Sequence, residues 1–289
     1  MKTKLTTSVS RLGVFVIVSI ALIFALAPLV WMINISFSQP EDAIKLPPVL
    51  FKDPTLQNYR DVLLGNADSV VRGITSTKDF PKLLLNSTII SLTSTFISLA
   101  LGLPGAYALS KLKLKRKKEI SFFVLSTRFI PPIVIVIPIF IAFQRLGLMD
   151  TLQGLITVYS FVNISLVVWM MKGYFDDVPT ELIESARMDG CTQYGALQKI
   201  VIPTTRQGIA ATAILVLINS WNEFLFAVLF ASVHAKTAPL GAMGFVTIRD
   251  VAWSNMAAAG IIITLPVLVF TLLVQKNLVQ GLTAGAVKG

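Results

Sequence analysis

Apolar residues in this chain come in runs too long for the helices of a soluble core, separated by short polar stretches. At a rise of about 1.5 Å per residue, roughly 20 apolar residues are needed to cross about 30 Å of hydrocarbon. Six stretches meet that length: Leu12–Ile33, Leu83–Leu109, Ile120–Phe143, Leu152–Met171, Gly208–Ala231 and Met256–Val274. The pattern predicts an all-α integral membrane protein with six transmembrane helices. The first run follows Lys2, Lys4 and Arg11 and contains Ala25-Leu26-Ala27, the pattern of a cleavable leader. It continues through Trp31 to Ile33, longer than a leader's apolar core, so a retained anchor is expected.

Composition agrees with a bilayer as solvent. Of 289 residues, 54% are hydrophobic and only 14% charged, where a soluble domain carries about a quarter charged. The net charge of +10 does not point to nucleic acid, because the basic residues punctuate apolar runs instead of forming a face. Their placement reports topology. With the N-terminus in the cytoplasm, the inner segments hold fifteen Lys and Arg and the outer segments nine. The short stretch Lys111–Glu119 alone carries six and resists translocation, so both termini are expected inside. One cysteine, Cys191, and one histidine, His234, leave no intrachain disulfide, no zinc cluster and no metal site to expect.

The chain divides into an N-terminal segment with the first span (1–37), an outer loop (38–82) and a five-helix core (83–289). The outer loop is interrupted by Pro40, Pro47, Pro48, Pro54 and Pro81, which predicts coil with at most a short helix near Gln57–Leu64. It is either a solvated connector or a place to meet something outside the membrane. Ile130-Pro131-Pro132 and Pro138 should kink the third span, and Gly102, Pro104 and Gly105 should loosen the second.

Between the fourth and fifth spans lies a polar island, 172–207. Asp176 or Asp177 can cap a helix there, Pro179 suits its first turn, and Glu181 suits the positive end of its dipole. Leu182, Ile183, Ala186 and Gly190 share one face, with Thr180, Glu184 and Arg187 opposite. Gly190 is suited to end the helix at positive φ. Thr192 can cap a second short helix that carries Tyr194, Leu197 and Val201 on one side and ends at Pro203. The expectation is a helix-turn-helix at the inner surface that either lies passively at the interface or fits a groove in a partner.

Glu184-Ser185-Ala186, then Gly190, then Ile200, then Ile202-Pro203 resembles the coupling motif of the membrane-spanning subunits of bacterial ABC importers. That motif reads Glu-Ala-Ala, three residues, Gly, nine residues, Ile, one residue, Leu-Pro. Ser replaces the first Ala and Ile replaces Leu. Leu56-Gln57-Asn58-Tyr59, Gly147-Leu148-Met149-Asp150-Thr151, Trp221-Asn222-Glu223-Phe224-Leu225 and the tail Gly281–Gly289 extend the resemblance along the chain. They narrow it to the carbohydrate-uptake branch, similar to the second permease subunit of maltose-type systems. The resemblance implies an inner-membrane subunit of a bacterium that is half of a sugar or polyol path. Its implied partners are a dimer of ABC ATPases that bind ATP and Mg, a second homologous permease subunit, an extracytoplasmic sugar-binding protein, and membrane lipid. It implies contact with the ATPase through Glu184, Ser185, Ala186, Asp189, Gly190, Ile200 and Pro203, with Glu184 at the docking rim and Pro203 setting the exit angle. The chain has no Gly-x-x-x-x-Gly-Lys-[Ser/Thr] loop, so ATP hydrolysis falls to a partner and no cofactor is expected on this chain.

Two charges lie within apolar spans, Arg128 and Glu223. Intramembrane charges are costly unless paired or wetted, so they either serve function or pair with each other. Asn219, Trp221, Asn222 and Glu223, with Asn163 in the fourth span, offer the amide, aromatic and carboxylate groups that bind sugar hydroxyls and stack on sugar rings. The rival class is a self-sufficient secondary transporter of a small polar solute, but the halves of the chain show no convincing repeat. A His-Glu-x-x-His membrane enzyme is ruled out by the single histidine.

Overall fold

The computed structural model describes the backbone of residues 2–65, 79–246 and 251–284, and the side chains of residues 13–65, 79–246 and 251–272. The middle of the first outer loop and the last residues of the tail lie outside the described residues. In chain order the helices are α1 (Lys2–Phe37), α2 (Gln57–Leu64), α3 (Phe80–Lys111), α4 (Lys117–Ser126), α5 (Pro132–Arg145), α6 (Leu152–Asp176) and α7 (Thr180–Met188). They continue as α8 (Gln193–Ala196), α9 (Ile202–Thr204), α10 (Arg206–Trp221), α11 (Leu225–Phe230), α12 (Ala238–Ala242) and α13 (Trp253–Ala284). Among the described residues, α3, α6, Gly13–Phe37 of α1 and Trp253–Leu272 of α13 are each long and apolar enough to cross a membrane. Two bent stretches, one over 117–145 and one that includes α10, bring the number of possible spans up to six.

The third span is broken rather than merely kinked: Lys117–Phe129 and Pro132–Arg145 meet at 92°. Pro131 forces Ile130 into extended backbone (ψ 119°), since the proline ring excludes the helical region from the residue before it. The fifth span, expected to be continuous over 208–231, is interrupted after Trp221. Here Glu223 turns its carboxylate onto the Phe226 N–H at 3.1 Å and 3.2 Å, and a side chain takes the place of a helical carbonyl. Pro104 does not interrupt α3, and Gly102 serves packing: a Cβ there would sit 2.6 Å from Val167 Cγ1 on α6. Gly208 likewise lets α10 approach α6, where a Cβ would meet the Tyr174 ring at 2.5 Å.

The chain forms two compact units. In the first, Met1–Phe80 with Ala242–Thr264, the start of the outer loop is tied to the end of α1. Asn58 on α2 donates to the Ser36 and Ser38 carbonyls at 2.9 Å each, Ser36 and Tyr59 hydroxyls lie 2.7 Å apart, and Asn34 accepts from Phe51 N–H at 2.6 Å. The Gln57–Leu64 helix stands where the sequence places it.

The second unit, Pro81–Gly241 with Leu265–Gly289, holds the helical core. A buried polar seam joins α3, α6 and α10: Ser94 Oγ donates to Ser220 Oγ (3.2 Å), Asn163 Nδ2 to the same oxygen (3.1 Å), and Ser98 Oγ to the Ser160 carbonyl (3.1 Å). Small hydroxyl residues let helices close in and bond across a bilayer, where apolar contact with lipid is equally good.

Between α5 and α6, Asp150 adopts φ +53°, and its carboxylate accepts from the backbone N–H groups of Ser232, Val233, His234 and Ala235 at 2.9–3.1 Å. Asn86 grips the same loop through the His234 and Lys236 carbonyls at 3.0 Å and 2.9 Å. Partial burial opposes the charged form, but the four N–H donors hold the Asp150 carboxyl well below the usual carboxylate range. A depressed folded-state pKa stabilises above the unfolded value of about 4 and is lost only as pH falls towards the folded value. Asp150→Ala is therefore expected to loosen the 232–235 loop equally across pH 5 to 8. Limited proteolysis of the detergent-solubilised chain reads this as faster cleavage in the variant, while the parent shows the same change only in acid.

The candidate coupling site

The island between α6 and α10 folds as two short helices locked to the C-terminal ends of α3 and α6. α7 has no side-chain cap; Pro179 stands before its first residue (φ −56°, ψ 133°), and Asp176 and Asp177 close the preceding helix instead. Asp176 accepts from Ser110 Oγ at 2.6 Å and pairs with Lys172, while Lys111 Nζ reaches the Val178 carbonyl. The C-terminus of α7 is a Schellman motif: Cys191 N–H bonds the Ala186 carbonyl at 3.0 Å, Gly190 N–H bonds the Arg187 carbonyl at 3.1 Å, and Gly190 takes φ +86°. A Cβ on Gly190 would meet nothing within 4 Å, so only the backbone conformation demands glycine. Gly190→Ala should lower stability by about 1 kcal/mol and Gly190→Asn by less, because asparagine tolerates the left-handed region. Thermal unfolding of the purified variants checks the order.

Thr192 caps α8 as its position suggested, accepting from Gly195 N–H at 3.0 Å. A π-turn follows at Leu197–Val201, where Ile202 N–H reaches back five residues to the Leu197 carbonyl just before Pro203, which has no N–H to offer. The chain then bends 84° into α10. The bend falls at Thr205 (φ −104°, ψ 17°), two residues beyond Pro203, and Thr205 Oγ1 donates to the Val201 carbonyl at 2.7 Å.

Ile183, Ala196, Leu197 and Val201 are buried in a cluster with Tyr107 of α3 and Met171 and Phe175 of α6, and Ala186 is buried as well. Tyr107 also donates to Gln193 Oε1 at 3.0 Å. This underside makes the knob and the two spanning helices one mechanical piece. Its other side is open. Leu182 is 47% exposed, Met188 83% and Tyr194 60%, with Glu181, Glu184, Ser185, Arg187 and Asp189 exposed around them. Leu182 was expected on the apolar face, but one residue is about 100° of helix and only Ile183 and Ala186 point inward. The outer surface is thus apolar residues framed by both signs of charge, the makeup of a protein-docking patch. Of the motif residues, Ala186 is buried, Ile200 half-buried, and Glu184, Ser185, Asp189, Gly190 and Pro203 exposed.

The other group of candidate residues is spread over the break in the fifth span. Asn163 is buried and bonded to the Tyr159 carbonyl (2.9 Å) and Ser220. Trp221 is 3% exposed and sets its edge against Phe270 at 6.5 Å, so its faces are covered in this structure. Asn219 and Asn222 are exposed, and Glu223 is half-buried beside Tyr159. Arg128 is exposed at the break of the third span, and neither ion pair found among the described residues joins it to Glu223. The seam serines and Asp150 were not singled out as functional; the Ser91, Ser94, Thr95, Ser98 spacing, at three and four residues on one helix face, is the signal that marks the seam.

Fold and site together define a multi-pass helical membrane protein with a two-helix knob between its fourth and fifth spans. Residues 95–284 match the family described as binding-protein-dependent transport system inner membrane component. The chain belongs to that family, the non-catalytic permease subunits of ABC transporters. It is 35% identical to the trehalose/maltose transport system permease protein MalG of Thermococcus litoralis, over 92% of this chain and 93% of that one. It is 33% identical to the trehalose transport system permease protein SugB of Mycobacterium tuberculosis, over 92% and 93%. Among solved structures, a chain of a bacterial ABC transporter that imports the acidic polysaccharide alginate matches with a TM-score of 0.72 at 22% identity, covering 94% of this chain and 97% of that one; this likeness concerns the fold alone.

Proposed function

We propose that the chain forms half of the translocation path of an ATP-driven importer for a sugar or related polyol, and couples that path to a separate ATPase through its cytoplasmic knob. The observation that carries this reading is the two-sided knob: an underside buried against α3 and α6, and an outer face of Leu182, Met188 and Tyr194 framed by Glu184 and Arg187. The sugar assignment rests on the trehalose and maltose permeases among its relatives.

In this reading both termini and the 172–207 loop face the cytoplasm, supported by the six basic residues of Lys111–Glu119. Residues 1–37 are the N-terminal anchor, 38–82 an extracytoplasmic loop, and 83–289 the permease core with its cytoplasmic tail 275–289. A pair of ATPases closing on ATP and Mg moves the knob as a rigid body. Because Ile183 and Leu197 are packed on α3 and α6, that motion is delivered to the spans. A homologous sister permease supplies the other half of the path, and an extracytoplasmic binding protein delivers the solute. Glu184, Ser185, Asp189 and Gly190 form the docking rim; Ala186 and Ile200 shape it from within, and Pro203 stands exposed where the knob leads towards α10. Asn219, Asn222 and Glu223 at the break of the fifth span are the nearest polar groups to line the path, with Asn163 and Trp221 behind them in this state.

The test is purification of the tagged chain from native membranes in mild detergent, with co-purifying proteins identified by mass spectrometry and uptake of labelled trehalose and maltose compared with and without the gene. A P-loop ATPase and a second multi-spanning subunit are expected. Recovery of the chain alone, with uptake that survives ATP depletion, would instead mark a secondary transporter.

A further inference from the structure

The outward side of α4 and α6 carries a groove that the proposed mechanism does not use. A cavity of about 310 Å³ lies between Leu109, Ser121, Phe122, Leu125, Trp169, Lys172 and Gly173, and a second of about 380 Å³ lies deeper, towards Phe123, Ile135, Phe161 and Ile164. The two share Val124 and Val168 in their walls, so they are successive parts of one cleft. Along α6 the cleft extends from Phe161 to Asp176, about 22 Å at 1.5 Å per residue. Half of a hydrocarbon core is about 15 Å, so the cleft matches the depth of one leaflet plus a headgroup.

Its chemistry changes along that length. The deep part is mostly aliphatic and aromatic, with Arg128 and Thr127 at the break of the third span. The mouth carries Trp169, 53% exposed, and indole rings favour the membrane interface. Beside the mouth is the basic loop. Lys111 and Lys117 are engaged by the Val178 and Ser110 carbonyls, and Lys172 by Asp176. Lys113, Lys115, Arg116 and Lys118 are exposed and form no ion pair among the described residues. Lys118 lies on the first turn of α4, one turn before Phe122, which with Ser121 lines the mouth. The acids nearby are Glu119, Asp177 and Asp176, the last already matched by Lys172 and Ser110.

We propose that this cleft holds an anionic phospholipid of the inner leaflet, with an acyl chain along α4 and α6 and the phosphate on Lys118 and its neighbours Lys115 and Arg116. The site rests on the orientation proposed above. A bound lipid there would brace α4 against α6 next to the knob, since Lys172 and Asp176 of the mouth belong to the clamp that holds α7. A cationic surface of this kind attracts acidic lipid headgroups.

The experiment places the full chain, with the subunits that co-purify with it, in nanodiscs containing equal dioleoylphosphatidylglycerol and dioleoylphosphatidylcholine. Native mass spectrometry then counts the lipids retained. Phosphatidylglycerol adducts should exceed phosphatidylcholine adducts by at least about threefold, and Lys115→Gln with Lys118→Gln should bring the ratio near one. Gly173→Leu, at a position in the cleft wall where a Cβ meets nothing within 4 Å, should reduce retention of both. Equal retention in the parent, or retention indifferent to both variants, would overturn the site. A photo-crosslinking residue at Trp169 that yields a protein adduct instead of a lipid adduct would show that a partner's helix fills the cleft. Labelling of Lys113→Cys in a Cys191→Ser chain by a membrane-impermeant reagent added outside whole cells would overturn the orientation, a failure distinct from that of the site.

Discussion

A chain carrying Glu184→Arg and Met188→Asp should fold, insert and resist heat like the parent, yet lose its ATPase and at least about 90% of solute uptake. Both side chains are exposed, so neither substitution removes buried contacts in the chain itself. At a docking face the case differs. Reversing one charge and placing another on an apolar contact costs several kcal/mol when the surface is desolvated, and each 1.4 kcal/mol is a factor of ten in affinity. Size-exclusion profiles and thermal unfolding of the purified chain check the first half of this expectation, and co-purification with uptake checks the second. An unchanged ATPase yield would remove the outer face of α7 from the coupling contact.

The second large effect is structural. Gly208→Leu should strongly reduce folded protein, because its Cβ would overlap the Tyr174 ring at 2.5 Å between two helices that pack along their length. Overpacking of this kind typically costs about 1–3 kcal/mol, more where neither helix can move. Gly208→Ala should show the milder form, and adding Tyr174→Ala should restore part of the loss, as contacting positions are non-additive. Melting temperatures of the two single variants and the double variant measure the coupling. Simple additivity would mean that the close approach of α6 and α10 is not what holds Gly208.

Much of the fold is legible in the sequence because the bilayer imposes a length on every span. Leu152–Met171 and Leu83–Leu109 lie within α6 and α3 to within a turn or two at each end. The interruptions were harder to read. Pro131 announces a break in the third span, but hydropathy carries no angle, and nothing in the run says 92° rather than 20°. The break in the fifth span has no proline at all; it depends on Glu223 reaching the Phe226 N–H, a local side-chain choice that an apolar count averages away. The knob was legible for the opposite reason. Gly190 and Thr192 are residues whose backbone chemistry specifies a helix end and a helix start, and both do so here. The polar candidates Asn163 and Trp221 were chosen for their chemical groups, but chemistry alone does not say which side of a helix faces its neighbours, and both are buried in the bundle. The clamp of Asp150 on the 232–235 loop spans more than eighty residues of sequence and leaves no local pattern.

Coupling through the knob requires the outer face of α7 to touch an ATPase. A photo-crosslinking amino acid in place of Ser185, which is exposed beside Glu184, captures that contact in native membranes. Irradiation should yield one main adduct whose partner peptides come from a chain with a phosphate-binding Gly-x-x-x-x-Gly-Lys-[Ser/Thr] loop, and the Glu184→Arg, Met188→Asp background should abolish it. An adduct formed only with lipid, or with a second copy of this chain, would contradict the coupling role of the knob.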